Sequence, residues 1–343
     1  MRQMNVAVVG ATGAVGTTII EKLVERDFPI KSLKLLASKR SAGSQVTVGG
    51  TTYTVEETTE DAFEGVDIAF FSAGGSISEH FAQAAIDRGA VVIDNTSAYR
   101  MTEGVPLVVP EVNPDAMRAH KGLIANPNCS TIQMVAALKE VKDKYDIRRL
   151  IVSTYQAVSG AGADAIAELE TQSKNFEGRA ENEANILPSA SQPKHFPIAF
   201  NVIPQIDAFG EEGYTLEELK MMNETRKIFD DYEMEVAATC VRLPVVTGHS
   251  ESVYIELGEE HTDVTVEQLK ADIAKTPGVI VEDDPSTQTY PMPVFAEGRD
   301  EIFVGRIRKD RDRPNGFHLW IVSDNLLKGA ALNSVQIAEA LIE

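Results

Sequence analysis

In the first half of the chain, short apolar runs alternate with stretches whose apolar residues recur every three or four positions. Runs at 6–9, 33–37, 66–71, 90–93 and 107–109 predict β-strands, and the segments 14–25 and 77–88 predict helices between them. Strand-helix alternation of this kind implies a parallel sheet covered on both faces. From residue 149 the texture changes. Longer strand-like runs at 150–158, 236–246, 252–257, 302–307 and 317–322 follow with few helices between them, as in a mixed or largely antiparallel sheet of an α+β domain. The segment 327–342 has helical spacing and is expected to pack back on the first domain. A polar stretch, 171–192, reads as a surface insertion or lid. The chain has no internal repeats and no low-complexity tracts.

At 343 residues the chain is long enough for two domains, each with its own core. The divide is expected to give 1–128 plus 326–343 to one domain and 129–325 to the other. The start runs directly into the apolar run 6–9, which leaves no room for a cleavable secretory signal, and no apolar run approaches the ~18 residues of a membrane span. The two cysteines, Cys129 and Cys240, cannot build a disulfide framework and lack metal-site spacing. No metal is therefore expected, and the compartment implied is the reducing cytoplasm. A net charge of −20 repels a phosphate backbone, so nucleic acid is not expected as a partner, and without a long apolar run neither is a membrane. An anionic substrate would need a local cluster of cations that overrides that field.

Two motifs carry chemistry. Gly10-Ala11-Thr12-Gly13-Ala14-Val15-Gly16 joins the first strand to the first helix. Glycines there let the backbone approach a pyrophosphate, and the helix start offers free N–H groups. Ala37-Ser38-Lys39-Arg40-Ser41 ends the second strand where an NAD enzyme usually carries an acid, so Ser38, Arg40 and Ser41 suit a 2′-phosphate and NADP. Asn126-Pro127-Asn128-Cys129-Ser130-Thr131 opens a helical run, and a cysteine at a helix start is stabilised as the reactive thiolate. Cys240, inside an apolar run, reads instead as a small buried residue.

Together with Tyr155-Gln156-Ala157-Val158-Ser159-Gly160, Arg242-Leu243-Pro244-Val245, Gly248-His249-Ser250 and the segment 324–329, these motifs resemble, in order and over nearly the whole chain, the aspartate-semialdehyde dehydrogenase family. The resemblance implies a Rossmann-type dinucleotide-binding domain with a second α+β catalytic and dimerisation domain. It implies NADPH-dependent reductive dephosphorylation of aspartyl phosphate to aspartate semialdehyde, in lysine (through diaminopimelate), threonine and methionine biosynthesis. Paired subunits, as a homodimer or a dimer of dimers, are implied too.

Carried over by position, Cys129 resembles the nucleophile that forms a thioester, His249 the general acid/base, and Gln156 a residue that orients the acyl group. Arg242 resembles the partner of the substrate carboxylate, for which a guanidinium offers a two-bond match. Glu217 resembles a ligand of the substrate amino group, and Lys220 and Arg100 ligands of the phosphate. Arg100, Lys220 and Arg242 would then form the required cationic cluster. Gly10, Thr12, Gly13, Ala14 and Val15 resemble dinucleotide contacts, and Ser159, Gly160 and Asn325 contacts near the nicotinamide, which would place the active site between domains. His80, His120, His195, His261 and His318 lie in no such motif and read as surface or packing residues. A rival glyceraldehyde-phosphate enzyme would carry a second cysteine four residues past the nucleophile, where this chain has Gln133. A rival acting on N-acetyl-glutamyl phosphate would have no ammonium for Glu217. A regulatory protein that kept the fold and lost the chemistry would not retain competent residues at every catalytic position.

Overall fold

The computed structural model describes residues 2–342, which fall into two compact units. One holds the chain as far as Asn128 together with the segment from Ala330 onward, and the other is Cys129–Gly329.

In the first unit, strands β1 (Met4–Val9), β2 (Ile30–Ala37), β3 (Gln45–Val48), β4 (Thr51–Glu57), β5 (Ile68–Phe71), β6 (Val91–Asp94) and β7 (Leu123–Ala125) form one sheet. Its order is β3-β4-β2-β1-β5-β6-β7, parallel except for β3. Val6 through Val9 are wholly buried, as a central strand covered on both faces requires. Their side chains alternate between two cores. Val6 and Val8 join Ile19, Ile20 and Leu23 of helix α1 (Ala14–Glu25), and Val335 and Ile337 of the C-terminal helix Leu332–Ile342. Ala7 and Val9 join Phe63, Phe71 and the Ala82 and Ala85 face of α2 (Gly75–Asp87). The period-two pattern of the strands and the longer period of the helices thus fill the two layers from one sequence.

Two features depart from the sequence expectations. The run 107–109 makes only an isolated bridge, Leu107 to Ala125, because Pro106 and Pro110 bracket it and cannot donate to a ladder. The β3–β4 hairpin lies outside the expected elements. Gly49 and Gly50, both at positive φ, make its turn.

In the second unit, α3 (Cys129–Tyr145), β8 (Arg149–Gln156), α4 (Ala163–Gln172), α5 (Leu216–Phe229), β9 (Glu235–Arg242), β10 (His249–Glu256), α6 (Val266–Ile273), β11 (Val279–Val281), α7 (Pro293–Ala296), β12 (Ile302–Lys309) and β13 (Gly316–Ser323) follow in order. The sheet runs β11-β12-β13-β10-β8-β9, with β8/β9 and β11/β12 parallel and the other pairs antiparallel. Helices α3, α5 and α6 pack on it, and β8 alternates buried and less buried residues accordingly. More helix is present here than the apolar pattern predicts. Helix α5 hides from that pattern because its buried side includes Glu217, Glu218, Glu224 and Thr225 beside Met221 and Ile228. Capping boxes, Thr215 with Glu218 and Thr265 with Gln268, start α5 and α6 instead.

The stretch 171–192 is anchored rather than free. Gln172 accepts the N–H groups of Ile198 and Ala199 through its side chain, and Leu187 is buried with Val158 and Ile198. The chain returns to the first unit at Ala330 rather than at the expected 326. Asp324 accepts the N–H groups of Leu326 and Leu327, and Gly329 packs on Cys129, which keeps this segment with the second unit. Among the described residues, no helix is long and apolar enough to cross a membrane.

Candidate active site

Cys129 is the first residue of α3 and is partly exposed, whereas Ser130 through Ala137 are buried. The opening N–H groups of a helix have no partner within it, so they and the helix dipole favour a thiolate there. A Cβ placed on Gly329 would lie 2.8 Å from Cys129 Cβ, so only glycine lets this backbone approach Cys129 so closely. Cys240 is buried on β9, and burial pushes its thiol well above the usual range.

Three strand ends meet at one edge of the sheet. Gln156 ends β8 and pairs in register with Arg242, which ends β9, while His249 begins β10. All three side chains are buried. Arg242 donates to Ala157 O at 2.7 Å through Nη1, while its buried Nε–H has no partner among the described residues. Burial lowers the guanidinium's pKa, against the pull of Glu217 and Cys129. A buried cation with an unused donor is a strong anchor for an anion, because leaving it unpaired costs about 1–3 kcal/mol or more.

Glu217, on the buried side of α5, accepts from Gln156 Nε2 at 3.2 Å. Lys220 lies 3.4 Å from Glu217 and 2.9 Å from Asp207. His249 accepts the Ala157 N–H on Nδ1 at 3.1 Å, and its Nε2 lies 3.4 Å from Gln156 Nε2. Burial and then Arg242 depress its pKa to about 3, with Glu217 opposing. Gly160 leaves the neighbouring space open, since a Cβ there would come within 3.1 Å of Arg242 and 3.4 Å of the His249 ring. Asn325 Nδ2 donates to Ser159 Oγ at 3.0 Å, and its Oδ1 accepts the Gly248 N–H at 2.9 Å, which ties down the residue before His249.

The first unit holds the other expected residues. Gly10 has φ of 87°, and the Gly13 N–H closes on Gly10 O at 3.0 Å. A Cβ on Gly16 would meet Gly10 O at 2.1 Å, so α1 can approach the turn only with glycine there. Helices α1 and α2 begin at Gly13 and Gly74 without side-chain caps. A cavity of about 290 Å³ opens beside both starts, lined by Val15, Ser72, Gly74, Gly75, Asn95, Thr96 and Ser97. Thr12 and Ala14 are exposed next to it in the chain. Ser38, Arg40 and Ser41 lie in a turn after β2, closed by Ser41 N–H on Ser38 O at 2.9 Å, with Arg40 exposed. Arg100 is buried in this same unit, where it donates to Asn126 O and Asn95 O, both at 2.9 Å. Glu217, Lys220 and Arg242 belong to the other unit.

A family model described as "Semialdehyde dehydrogenase, NAD binding domain" matches residues 5–120. Another, "Semialdehyde dehydrogenase, dimerisation domain", matches residues 138–328. Aspartate-semialdehyde dehydrogenase of Bacillus subtilis is 59% identical over 340 residues, covering 99% of this chain and 98% of that protein. The chain belongs to the aspartate-semialdehyde dehydrogenase family. Among solved structures of this family, aspartate semialdehyde dehydrogenase II of Vibrio cholerae, complexed with ASA, superposes with a TM-score of 0.93 at 46% identity. That alignment covers 100% of this chain and 99% of the other. The Candida albicans enzyme with NADP superposes at a TM-score of 0.75 and 25% identity, covering 99% of each chain.

For this member of the family, several residues beside the expected ones in each unit carry no local sequence signal. Asp207 holds Lys220 from a left-handed backbone conformation, and Asp94 is buried against Ser78 and Thr96, where burial raises its carboxyl. Glu251 follows His249 by two residues on the same strand and is wholly buried, with neither carboxyl oxygen hydrogen-bonded among the described residues. Strand alternation places Glu251 beneath His249, a signal readable only once the strand is known.

Proposed function

We propose that this chain catalyses the NADPH-dependent reductive dephosphorylation of aspartyl phosphate to aspartate semialdehyde through a thioester on Cys129, in the route to lysine, threonine and methionine. The observation that carries the reading is the buried Arg242, with one donor unused, within the electrostatic reach of a cysteine at a helix start. Its guanidinium would hold the substrate carboxylate, and Glu217 the ammonium. An N-acetylated substrate would leave Glu217 buried without that partner. Gln156 would orient the acyl group, and Lys220 and Arg100 would take the phosphate.

The residues of the first unit fit a dinucleotide, since two uncapped helix starts and a glycine turn border one cavity. Gly10, Thr12, Gly13, Ala14 and Val15 would hold the pyrophosphate, and Ser38, Arg40 and Ser41 the 2′-phosphate of NADP. Ser159, Gly160 and Asn325 would border the nicotinamide. The bound reduced cofactor supplies hydride. Cys129 attacks the acyl carbon, phosphate leaves, and the thioester is the species that is reduced. The α3 N–H groups, with Gln156 and His249, meet the oxyanion, and each such donor typically contributes ~3 kcal/mol.

The test runs in reverse, with aspartate semialdehyde, phosphate and NADP or NAD. Phosphate-dependent NADPH formation is expected, and Cys129→Ala should abolish it while NADP binding persists. Substantial residual turnover in that variant would defeat the thioester route.

A further inference from the structure

Asp207 lies in the loop that leads into α5, and its carboxylate is held in place by the chain around it. Its φ of 70° is in the left-handed region, which aspartate and asparagine tolerate better than most residues. Its Oδ1 accepts the Ala208 N–H at 2.8 Å, and its carbonyl oxygen accepts from Gln205 Nε2 at 2.9 Å. The Leu216 N–H donates to Ala208 O at 2.8 Å, which ties this loop to the first turn of α5. The other carboxylate oxygen, Oδ2, therefore has a set position, and Lys220 Nζ donates to it at 2.9 Å.

Lys220 and Glu217, three residues apart, share one face of α5, and the same ammonium reaches Glu217 Oε2 at 3.4 Å. One cation thus stands between two carboxylates and nearer the outer one. The Glu217 side chain is 7% exposed, against 33% for Asp207. Glu217 Oε1 accepts from Gln156 Nε2 at 3.2 Å, so this carboxylate borders the strand-end residues of the site. The attraction between Lys220 and Glu217 is strengthened by burial, since opposite charges act more strongly where water is scarce. An ammonium closed tightly on Glu217 would occupy that carboxylate and would repel any second ammonium brought to it. Asp207 draws the lysine the other way.

We propose that Asp207 is a positioning residue that sets substrate selection: it holds the Lys220 ammonium off Glu217, so that Glu217 can receive the ammonium of an amino-acid substrate. This role rests on the reading of Glu217 as the ligand of the substrate amino group. Two effects run in the same direction. Asp207 fixes where the lysine sits, and its charge offsets the lysine's. Two carboxylates against one ammonium leave the group net negative and attractive to a further cation. Without the Asp207 charge the group is neutral, and the ammonium that remains has only Glu217 of this pair to turn to. Preference for an amino acid over the same molecule without its amino group then depends on a residue that acts through Lys220 rather than on the substrate.

The experiment compares two aldehydes with the full-length protein, in the reverse direction at saturating phosphate and dinucleotide. One is aspartate semialdehyde, and the other is succinate semialdehyde, the same carboxylate aldehyde without the amino group. The variant is Asp207→Asn, because asparagine accepts the left-handed backbone and keeps an oxygen for the Ala208 N–H while losing the charge. Its KM for aspartate semialdehyde is expected to rise about 10-fold, the scale of one charged hydrogen bond, with kcat within about twofold of the parent. Its affinity for succinate semialdehyde, read as KM or as a competitive Ki, should be unchanged. In a Lys220→Met protein the same substitution should produce no further loss of preference, since the lysine through which it acts is gone. Equal changes for both aldehydes, or a preference that survives Asp207→Asn, overturn the proposal, and so does a full effect of that substitution in the Lys220→Met protein. A lowered melting temperature with the preference intact would reduce Asp207 to an anchor of its loop. An unmodified protein that turns over neither aldehyde, or takes both alike, would instead overturn the reading of Glu217 on which this role stands.

Discussion

Glu251 shows how much a single buried residue alters the pH response. Burial pushes its carboxyl well above the usual range, with a smaller opposing pull from Gln133. In the unfolded chain a glutamate loses its proton near ~4.3. The folded protein retains that proton, so stability from this group is full below that pH and declines as pH rises, until the folded carboxyl ionises too. The slope is at most ~1.4 kcal/mol per pH unit. Glu251→Gln has no proton to lose and should gain on the unmodified protein with rising pH. Urea unfolding at about pH 5, 7 and 8.5 measures this, and a difference that stays constant would mean that native Glu251 is ionised. His249 works in the opposite sense. Its depressed pKa of about 3 gives stability that is full above ~6.5 and is lost as pH falls towards 3.

At the scale of elements, the site depends on where helices and strands start and stop. Helix α3 begins on Cys129, and the segment Leu327–Ala331, a π-helical turn, carries Gly329 against it. Such turns recur at functional sites. Gly329→Ala would place a methyl 2.8 Å from Cys129 Cβ, and one of the two backbones must move. A displacement of about 1 Å at a reacting atom costs on the order of 10²-fold in rate, so kcat should fall by ~10–100-fold with dinucleotide affinity unchanged. Steady-state kinetics together with a binding titration checks this, and a kcat within twofold of the parent would show that the contact relaxes freely. Gly16→Ala is the counterpart in the first unit. Its Cβ would overlap Gly10 O at 2.1 Å, so dinucleotide affinity should fall instead, as fluorescence titration would report.

At the scale of the whole molecule, the second unit leaves Phe176, Phe200, Phe209, Val294 and Phe295 each at least half exposed, an apolar load that a partner subunit would remove from water. Sedimentation equilibrium is expected to give twice the chain mass, and a mass equal to the chain would leave these side chains without that account. The first unit's fold was legible because each of its main strands is a short buried run and each helix an amphipathic one, so local periodicity and tertiary burial agree. The glycine turn, Cys129 and the strand-end residues Gln156, Arg242 and His249 were readable from motifs in order. What the pattern missed follows from the same physics. Helix α5 turns charged residues inward, so apolar spacing could not reveal it, and 107–109 has an apolar run's composition but prolines on either side. Sequence by itself determined residue types, element periods and the order of motifs, because those are local properties of the chain. Only the tertiary structure decided that the Ala157 N–H would meet His249 Nδ1, that Gly329 would support Cys129 and that Glu251 would be wholly buried beside Gln133. Each of those depends on atoms brought together from distant positions, or on what surrounds them, and neither is encoded at a single residue.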